Sequence, residues 1–332
     1  MFKQLVLGAA LVCATGSAAL AGNGSNLTKF VPDTTQAMIV MDVSTAKNSK
    51  LLKESFQKML DSKPDAQAKM AEMGIDPMKD IDTVAFAMGG AEELSKMNEG
   101  AMLIIVEGRL PKDRLAKMNN ATKTLYKGVE VWSKDDSEGA IVDGRLFFTK
   151  KGQLNAAIDL VKGGKNNLAA SANGKAMRDA LKNASMKSHL WMTVLIPKKD
   201  RDMMSSASIA AESFSMSFDF ADDVKAGIRI ATATAANAES SLKMLNTVLP
   251  QLKQAMGSVG LTAAASTVTL AQDKASINAS IRITSGEIKQ LVTMASGMAG
   301  AAAAPPTKTP PPAPAAKPTG GLGKTPAPVP AH

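Results

Sequence analysis

Two stretches of the chain share one pattern, and this internal repeat is the feature that most limits the possible folds. The stretches are residues 146–161 and 281–294, which read LFFTKKGQLNAAIDLV and IRITSGEIKQLVTM. In both, an apolar strand-like run stops at a threonine, crosses a short polar turn that contains glycine, and enters a helix with apolar residues three or four positions apart. This agreement predicts that a whole unit of the chain was duplicated.

The rest of the chain extends the repeat into two halves with the same order of elements. The first half predicts strands near residues 37–43, 82–88, 101–107, 128–133 and 140–149, and the second half predicts them near residues 189–196, 215–220, 227–234, 268–270 and 277–283. Helices are expected from Ser44 to Leu60, after Pro111, over 154–161, over 237–256 and from Ser285 onward, and Pro250 should kink or split the fourth of them.

These elements predict an α+β protein of two tandem related units, each an antiparallel sheet with helices on one face, close to the split βαβ plan. The first unit should cover residues 22–165, a connecting helical segment 166–186, and the second unit 187–300. Polar residues, Ser215, Ser217 and Asp219, alternate with apolar residues along 215–220, which indicates that one face of that sheet meets water.

Both ends of the chain predict segments outside these units. Residues 1–21 combine a positive start, an apolar stretch and the sequence Ala19-Leu20-Ala21, which is typical of a signal peptide. We therefore expect an exported protein of the periplasm or the extracellular space, with no transmembrane segment in the mature chain. Residues 301–332 are rich in proline, alanine and lysine, and this composition predicts a disordered, extended tail.

The mature chain contains few of the residue types that catalyse reactions or bind cofactors. Cys13, the only cysteine, lies inside the expected signal peptide, so thiol catalysis, thiolate metal sites and iron-sulfur clusters are excluded from the mature protein. The only histidines are His189 and His332, and His332 is the last residue of the tail. No cofactor is expected.

Two short segments resemble a known group of proteins. They are FVPDTTQAMIVMDV at residues 30–43 and GIDPMKDIDTV at residues 74–84. The first resembles the turn and first strand of exported bacterial duplicated α+β proteins of unknown function, and the second resembles the turn before their second strand. The resemblance implies an exported, duplicated α+β protein, and it brings no catalytic residues with it.

One motif suggests an enzyme. Ser44-Thr45-Ala46-Lys47 fits the S-x-x-K pattern of penicillin-recognising enzymes, in which a lysine activates a serine at the start of a helix. The K-T-G element of those enzymes is missing, because Pro318 separates Lys317 from Thr319-Gly320. A serine-type hydrolase that uses Ser44 and Lys47 is one alternative, and Ser44 as an ordinary helix cap is the other.

A second alternative is a methionine-based copper(I) carrier. The chain has 21 methionines, thioethers bind copper(I), and His189 with Met192 could contribute to such a site. Most methionines lie on apolar stripes, however, where methionine fills irregular gaps in a core.

The charge pattern favours a binding or scaffold function. The chain carries a formal net charge of +9, spread over many predicted helix faces, and it lacks the arginine and aromatic cluster of a nucleic-acid site. We expect a non-catalytic cell-envelope binding or scaffold protein, whose partner is an anionic envelope polymer or another envelope protein. The binding surface should lie at a sheet edge or at the junction of the two units.

Overall fold

The structure, a computed structural model, describes residues 23–50, 53–54, 75–89, 102–110, 121–163, 168, 171–206 and 209–291. A 3-10 helix, Asn23–Phe30, opens the described chain. The α-helices are α1 Val43–Ala46, α2 Pro77–Asp80, α3 Leu154–Gly163, α4 Ala172–Lys182, α5 Lys198–Ser206, α6 Ala235–Ser258 and α7 Thr262–Thr267. The strands are β1 Ala37–Asp42, β2 Ile81–Met88, β3 Met102–Gly108, β4 Thr122–Tyr126, β5 Val129–Lys134, β6 Ser137–Val142, β7 Arg145–Lys150, β8 Leu190–Leu195, β9 Ala211–Phe220, β10 Val224–Thr232, β11 Thr269–Asp273 and β12 Ser276–Ile283.

All of these strands belong to one antiparallel sheet, so the expected α+β class is confirmed. The strand order is β11-β12-β10-β9-β8-β1-β2-β3-β7-β6-β5-β4. The first strands of the two halves, β1 and β8, pair with each other, with Met38 opposite Thr193 and Val40 opposite Trp191. This pairing joins the two halves into one continuous sheet, a point that the sequence left open.

Two-residue hairpins connect several neighbouring strands and correct the sequence prediction. The strand predicted over 140–149 is in fact two strands, β6 and β7, that turn at Asp143 and Gly144, which have φ angles of 48° and 80°. Strand β4 was missed, and it joins β5 through Lys127 and Gly128, with φ angles of 48° and 76°. Turns of this kind require positive φ at both central residues, which glycine and aspartate tolerate.

The two faces of the sheet bear different residues. We call the face that carries Val40 and Trp191 the front face, and the face that carries Ile39 and Met192 the back face. In the first half, the front face is apolar and forms the main core with the 3-10 helix, α3 and α4. The fully buried side chains of this core include Phe147 on β7 and Ile158 on α3, and burying each of them contributes about 2 kcal/mol.

In the second half, a smaller core forms on the back face. Ile228 and Ile230 on β10 and Ile277 on β12 pack there against Ala238 and Leu242 of α6. Helix α6 begins at its N-cap, Thr234, whose hydroxyl accepts a hydrogen bond from the Asn237 backbone N–H. The helix continues to Ser258 and is not split at Pro250.

Helix α4 holds the two halves together on the front face. Its N-cap, Ser171, accepts a hydrogen bond from the Gly174 N–H, and a Cβ on Gly174 would lie only 2.7 Å from the Leu168 carbonyl oxygen. Glycine is therefore needed at this close approach. The Asn173 side chain donates to the carbonyl oxygens of Asp33 and Thr35, just before β1, at 2.7 and 3.0 Å.

Two other helices have an N-cap one or two residues before the predicted one. Asp42, and not Ser44, is the N-cap of α1, since its carboxylate accepts from the Thr45 N–H. Residues 285–291 are helical as expected, but the Glu287 N–H donates to the Thr284 hydroxyl, so Thr284 takes the role that was assigned to Ser285.

Several predictions fall outside the described residues. They are the signal peptide 1–21, residues 51–52 and 55–60 of the helix from Ser44 to Leu60, the helix after Pro111 and the tail 301–332. The described part of the helix from Ser44 to Leu60 is not continuous, because α1 ends at Ala46 and residues 47–49 are not helical. None of the helices that the structure describes is long and apolar enough to cross a membrane.

The burial of Trp191 at the junction of the two halves predicts that the two tryptophans contribute differently to the free energy of unfolding. Trp191 is 1 % exposed at the centre of the sheet, whereas Trp132 on β5 is only partly buried. Replacing Trp191 by alanine should lower the free energy of unfolding by about 3–5 kcal/mol, because it opens a large cavity between the two halves. Trp132→Ala should cost about 1 kcal/mol. Urea unfolding measures both values, and equal losses would contradict a core that is continuous across the junction.

Candidate binding cleft at the junction

A row of polar and charged residues crosses the front face at one end of the sheet. The register places these residues side by side on successive strands: Arg145, Glu107, Thr83, Asp42, His189, Asp219, Lys225 and Arg282. The middle of this row is buried, since Asp42, Thr83 and His189 are at most 3 % exposed. Polar groups at such depth need hydrogen-bond partners, and those of Asp42 and His189 define the centre of the row.

Asp42 is satisfied by the chain that follows it. Its Oδ1 accepts a hydrogen bond from the Ser44 hydroxyl at 2.6 Å and from the Thr45 N–H at 3.1 Å. Its own N–H donates to the His189 carbonyl oxygen at 2.7 Å, which extends the pairing of the two halves by one step.

His189, which pairs with Asp42 across the junction, faces Asp219. Its Nδ1 lies 3.3 Å from Asp219 Oδ1 and 3.4 Å from the Phe220 backbone nitrogen. Nδ1 can donate to the carboxylate or accept from the N–H, but it cannot do both. The buried Nε2 has no hydrogen-bond partner within the described part of the chain, and an unpaired N–H is rarer than an unpaired acceptor. The proton therefore belongs on Nδ1, which donates to Asp219.

This contact keeps Asp219 ionised. The hydrogen bond from His189 is the main cause that holds the pKa of the Asp219 carboxyl below its usual value, and burial opposes it. The Ser188 hydroxyl adds a second hydrogen bond, to Oδ2, at 3.1 Å. Asp219 is thus a fixed anion with half of its side chain exposed.

Ser188, His189 and Asp219 do not form a catalytic triad. In a triad the histidine lies between the serine and the carboxylate and accepts the serine proton. Here the carboxylate lies between the other two, because Ser188 and His189 both donate to it. This arrangement positions a carboxylate and does not activate the serine.

An open cleft of about 540 Å³ lies beside Asp219. Its wall is the end of α4 and the turn that leads into β8, where the Ala184 N–H donates to the Leu181 carbonyl and the Ser188 N–H donates to that of Ser185. The cleft is lined by Leu181, Lys182, Ala184, Ser185, Met186, Lys187, Ser188 and Asp219. It is an open depression of the surface, and apolar, hydroxyl and charged groups of both signs line it.

The two lysines of the cleft are available to a ligand. Lys182 pairs with Asp179 at 2.7 Å, but both side chains are more than half exposed, and such surface pairs contribute little. Lys187 is exposed and forms no ion pair with the residues that the structure describes.

The residues of the hydrolase hypothesis have other partners. The Ser44 hydroxyl donates to Asp42, and the Lys47 amine lies 3.9 Å from Asp82 Oδ1. A general base must lie within hydrogen-bond reach of its nucleophile, about 2.6–3.2 Å. The contacts of Ser44 and Lys47 thus give this hypothesis no support.

The residues of the copper hypothesis lie on opposite sides of the sheet. Met192 is opposite Ile39 and Met216 on the back face, whereas His189 belongs to the front face with Trp191. Successive side chains of a strand alternate between faces, so these two residues cannot bind one ion together. Within the described ranges, no group of three or more histidine, cysteine, aspartate or glutamate residues could hold a metal.

Comparisons with known proteins leave the family open. No protein-family model and no curated protein matches the chain. Among solved structures, crystal form III of TP0453 matches with a TM-score of 0.47 and 6 % identity, over 83 % of this chain and 99 % of that chain. Crystal form IV of the same protein matches with a TM-score of 0.44 and 7 % identity, over 80 % of this chain and 95 % of that chain. At this level the likeness carries no information about function.

The state of Asp219 predicts a pH dependence of stability. Its folded pKa is below the unfolded value of about 3.9, so the stabilisation is present above that value and is lost as the pH falls through the folded pKa. Asp219→Asn should therefore be less stable than the wild type at neutral pH, and the difference should shrink in acid. Solvent screening keeps the effect small, since the side chain is half exposed.

Urea midpoints over a pH series measure this difference. Asp222→Asn is the matched control, because Asp222 is exposed in the turn just after β9. A stability loss for Asp219→Asn that stays constant from neutral to acid pH would show that its carboxylate charge has no role.

Proposed function

We propose that the chain is a non-catalytic exported binding or scaffold protein of the cell envelope, and that its ligand occupies the cleft beside Asp219. The observation that carries this proposal is the convergence of Lys182, Lys187, Ser188 and Asp219 on one open cleft at the junction of the two halves. A hydrogen-bonded anion, two accessible cations and hydroxyl groups suit the recognition of a ligand with charged groups.

The partner that we propose is an anionic polymer of the envelope. The net charge of +9 draws polyanions to the surface at long range, and Lys182 with Lys187 provides a local pair of cations at the cleft. The Asp219 carboxylate would repel the most highly charged anionic groups of the polymer, and these groups would bind at the lysines instead. Export to the periplasm or the extracellular space belongs to the same proposal and rests on residues 1–21.

Two double variants, each of which removes two positive charges, test the site. Dextran sulfate serves as the polyanion, and its affinity for the full chain is measured by fluorescence anisotropy over a salt series. Lys182→Ala with Lys187→Ala should weaken binding about tenfold at low salt and flatten the salt dependence. Lys198→Ala with Lys199→Ala removes the same charge from exposed positions at the start of α5 and should change binding by less than about twofold. If both pairs of substitutions weakened binding equally, the cleft would not be the binding site.

A covalent probe decides between this function and the hydrolase alternative. Fluorophosphonate and β-lactam probes label activated serines, and the hydroxyl of Ser44 is hydrogen-bonded to a buried carboxylate. We expect no labelling of the wild type above the level of Ser44→Ala. Stoichiometric labelling that Ser44→Ala abolishes would establish the enzyme instead.

A further inference from the structure

The second half of helix α6 is only partly covered by the rest of the protein. The buried residues of this helix, Ala238 and Ser241, lie in its first two turns, where α6 packs on the back face of the sheet. After Ser241 no residue of α6 is buried, although the helix continues to Ser258. Most of the tertiary packing that holds a helix in place is thus confined to its first half.

The uncovered half carries a row of exposed apolar side chains. Five large apolar side chains are exposed among the described residues, and three of them lie here: Val248, Leu252 and Val259, which are 41 %, 53 % and 48 % exposed. Ala255, between the last two, is exposed as well. Spacings of four, three and four residues place all four on one side of the helix, and we call them the α6 ridge. A contiguous exposed apolar row of this kind marks an interaction surface.

Positive charge prevails beside the ridge. Residues 240–272 contain Lys243 and Lys253 but no aspartate or glutamate. Lys253 forms no ion pair with the residues that the structure describes, and the pair of Lys243 with Glu239 is mostly exposed, so it contributes little. Glu287 accepts a hydrogen bond from a backbone N–H of α7, but it is buried and presents no charge at the surface.

A second copy of the chain matches the ridge poorly. A two-fold contact would place Lys253 of both copies at its rim, with no carboxylate nearby to offset the two charges. Stable protein interfaces also bury about 800 Å² on each partner and concentrate aromatic side chains at their centre. The ridge offers a single row of valine, leucine and alanine instead.

A lipid surface suits the same features. Helices that lie in the plane of a membrane surface bury an apolar row at the boundary of the acyl chains and direct lysines to anionic headgroups. A fluid bilayer adapts its shape to the protein, so a narrow row can be buried without a complementary partner. The long side chain of a lysine beside the row can reach the phosphate groups.

We propose that the α6 ridge binds the surface of a bilayer that contains anionic lipids. Val248, Leu252 and Val259 enter the boundary of the acyl chains, and Lys253 contacts the headgroup phosphates. Helix α6 packs on the back face of the sheet, whereas α4, whose end forms the cleft, packs on the front face. A molecule bound in this way keeps the cleft open. This inference goes beyond the proposed binding function and does not depend on it.

The test is co-sedimentation with vesicles of phosphatidylcholine and phosphatidylglycerol. It uses residues 22–332, the expected mature chain, so that the apolar stretch of residues 1–21 cannot itself bind the vesicles. Val248→Gln with Leu252→Gln should weaken binding about tenfold, because about half of each side chain can no longer be transferred from water. Both positions are exposed and glutamine is a good helix former, so the fold should tolerate the change.

The matched control makes the same apolar-to-glutamine change elsewhere. Leu125→Gln with Met203→Gln alters side chains on β4 and α5 that are 76 % and 65 % exposed, and it should leave vesicle binding unchanged. Thermal unfolding checks that each variant is folded.

A lysine variant tests the role of the headgroups. Lys253→Gln should weaken binding about fivefold on vesicles with phosphatidylglycerol and have no effect on pure phosphatidylcholine. Lys198→Gln removes the same charge from an exposed position at the start of α5 and should change binding by less than about twofold.

Three results would overturn the proposal: no sedimentation of the wild type with anionic vesicles, an equal loss in the two glutamine pairs, or equal effects of Lys253→Gln and Lys198→Gln. Sedimentation velocity without lipid tests the other occupant. A wild-type dimer that Val248→Gln with Leu252→Gln converts to a monomer would make the ridge an interface between copies and also reject the proposal. The dextran sulfate experiment on the cleft has a separate outcome, because its lysines lie on the other face of the sheet.

Discussion

The antiparallel pairing of β1 with β8 is the contact on which the rest of the structure depends. Each strand opens its half of the chain, and each carries apolar residues on both faces. In separate units these strands would be exposed edges with unpaired backbone groups, which promote aggregation. Pairing them removes both edges and places Val40 beside Trp191 at the centre of a continuous core.

The same pairing orders the sheet symmetrically. From the junction outward, one side runs β1, β2, β3, β7 and β6, and the other runs β8, β9, β10, β12 and β11. The stretches that first indicated a repeat, around β7 and β12, occupy equivalent places in this order. This is the order that a duplication predicts, with β4 and β5 outside the equivalent set. The front face differs between the halves, since it is apolar in the first and largely polar in the second.

Periodicity explains which parts of this fold could be predicted from the sequence. Strands such as β2 and β12 show apolar alternation or apolar runs, and the sequence placed them within a few residues. Strand β4 was missed because it is an exposed edge strand of mostly polar residues, with no buried pattern to detect. The Lys127-Gly128 turn is the signal that could have revealed it.

The candidate site was less accessible to sequence reasoning. His189 was a candidate because it is the only histidine outside the tail. Its partner Asp219 is 30 positions away in the sequence and contacts it through the register of β8 and β9. A shift of one residue in that register would place Asp219 on the back face. Sequence alone does not fix strand register, so the pairing that holds the carboxylate, and the cleft beside it, required the structure.

Native-state hydrogen exchange tests the central claim of one sheet joined at β1 and β8. The account predicts that the amides of Val40 and Trp191 exchange only through global unfolding, with the same protection as the inner amides of β2 and β9. Amides of β1 and β8 that exchange faster than those of β2 and β9, as strands at an open edge would, contradict it.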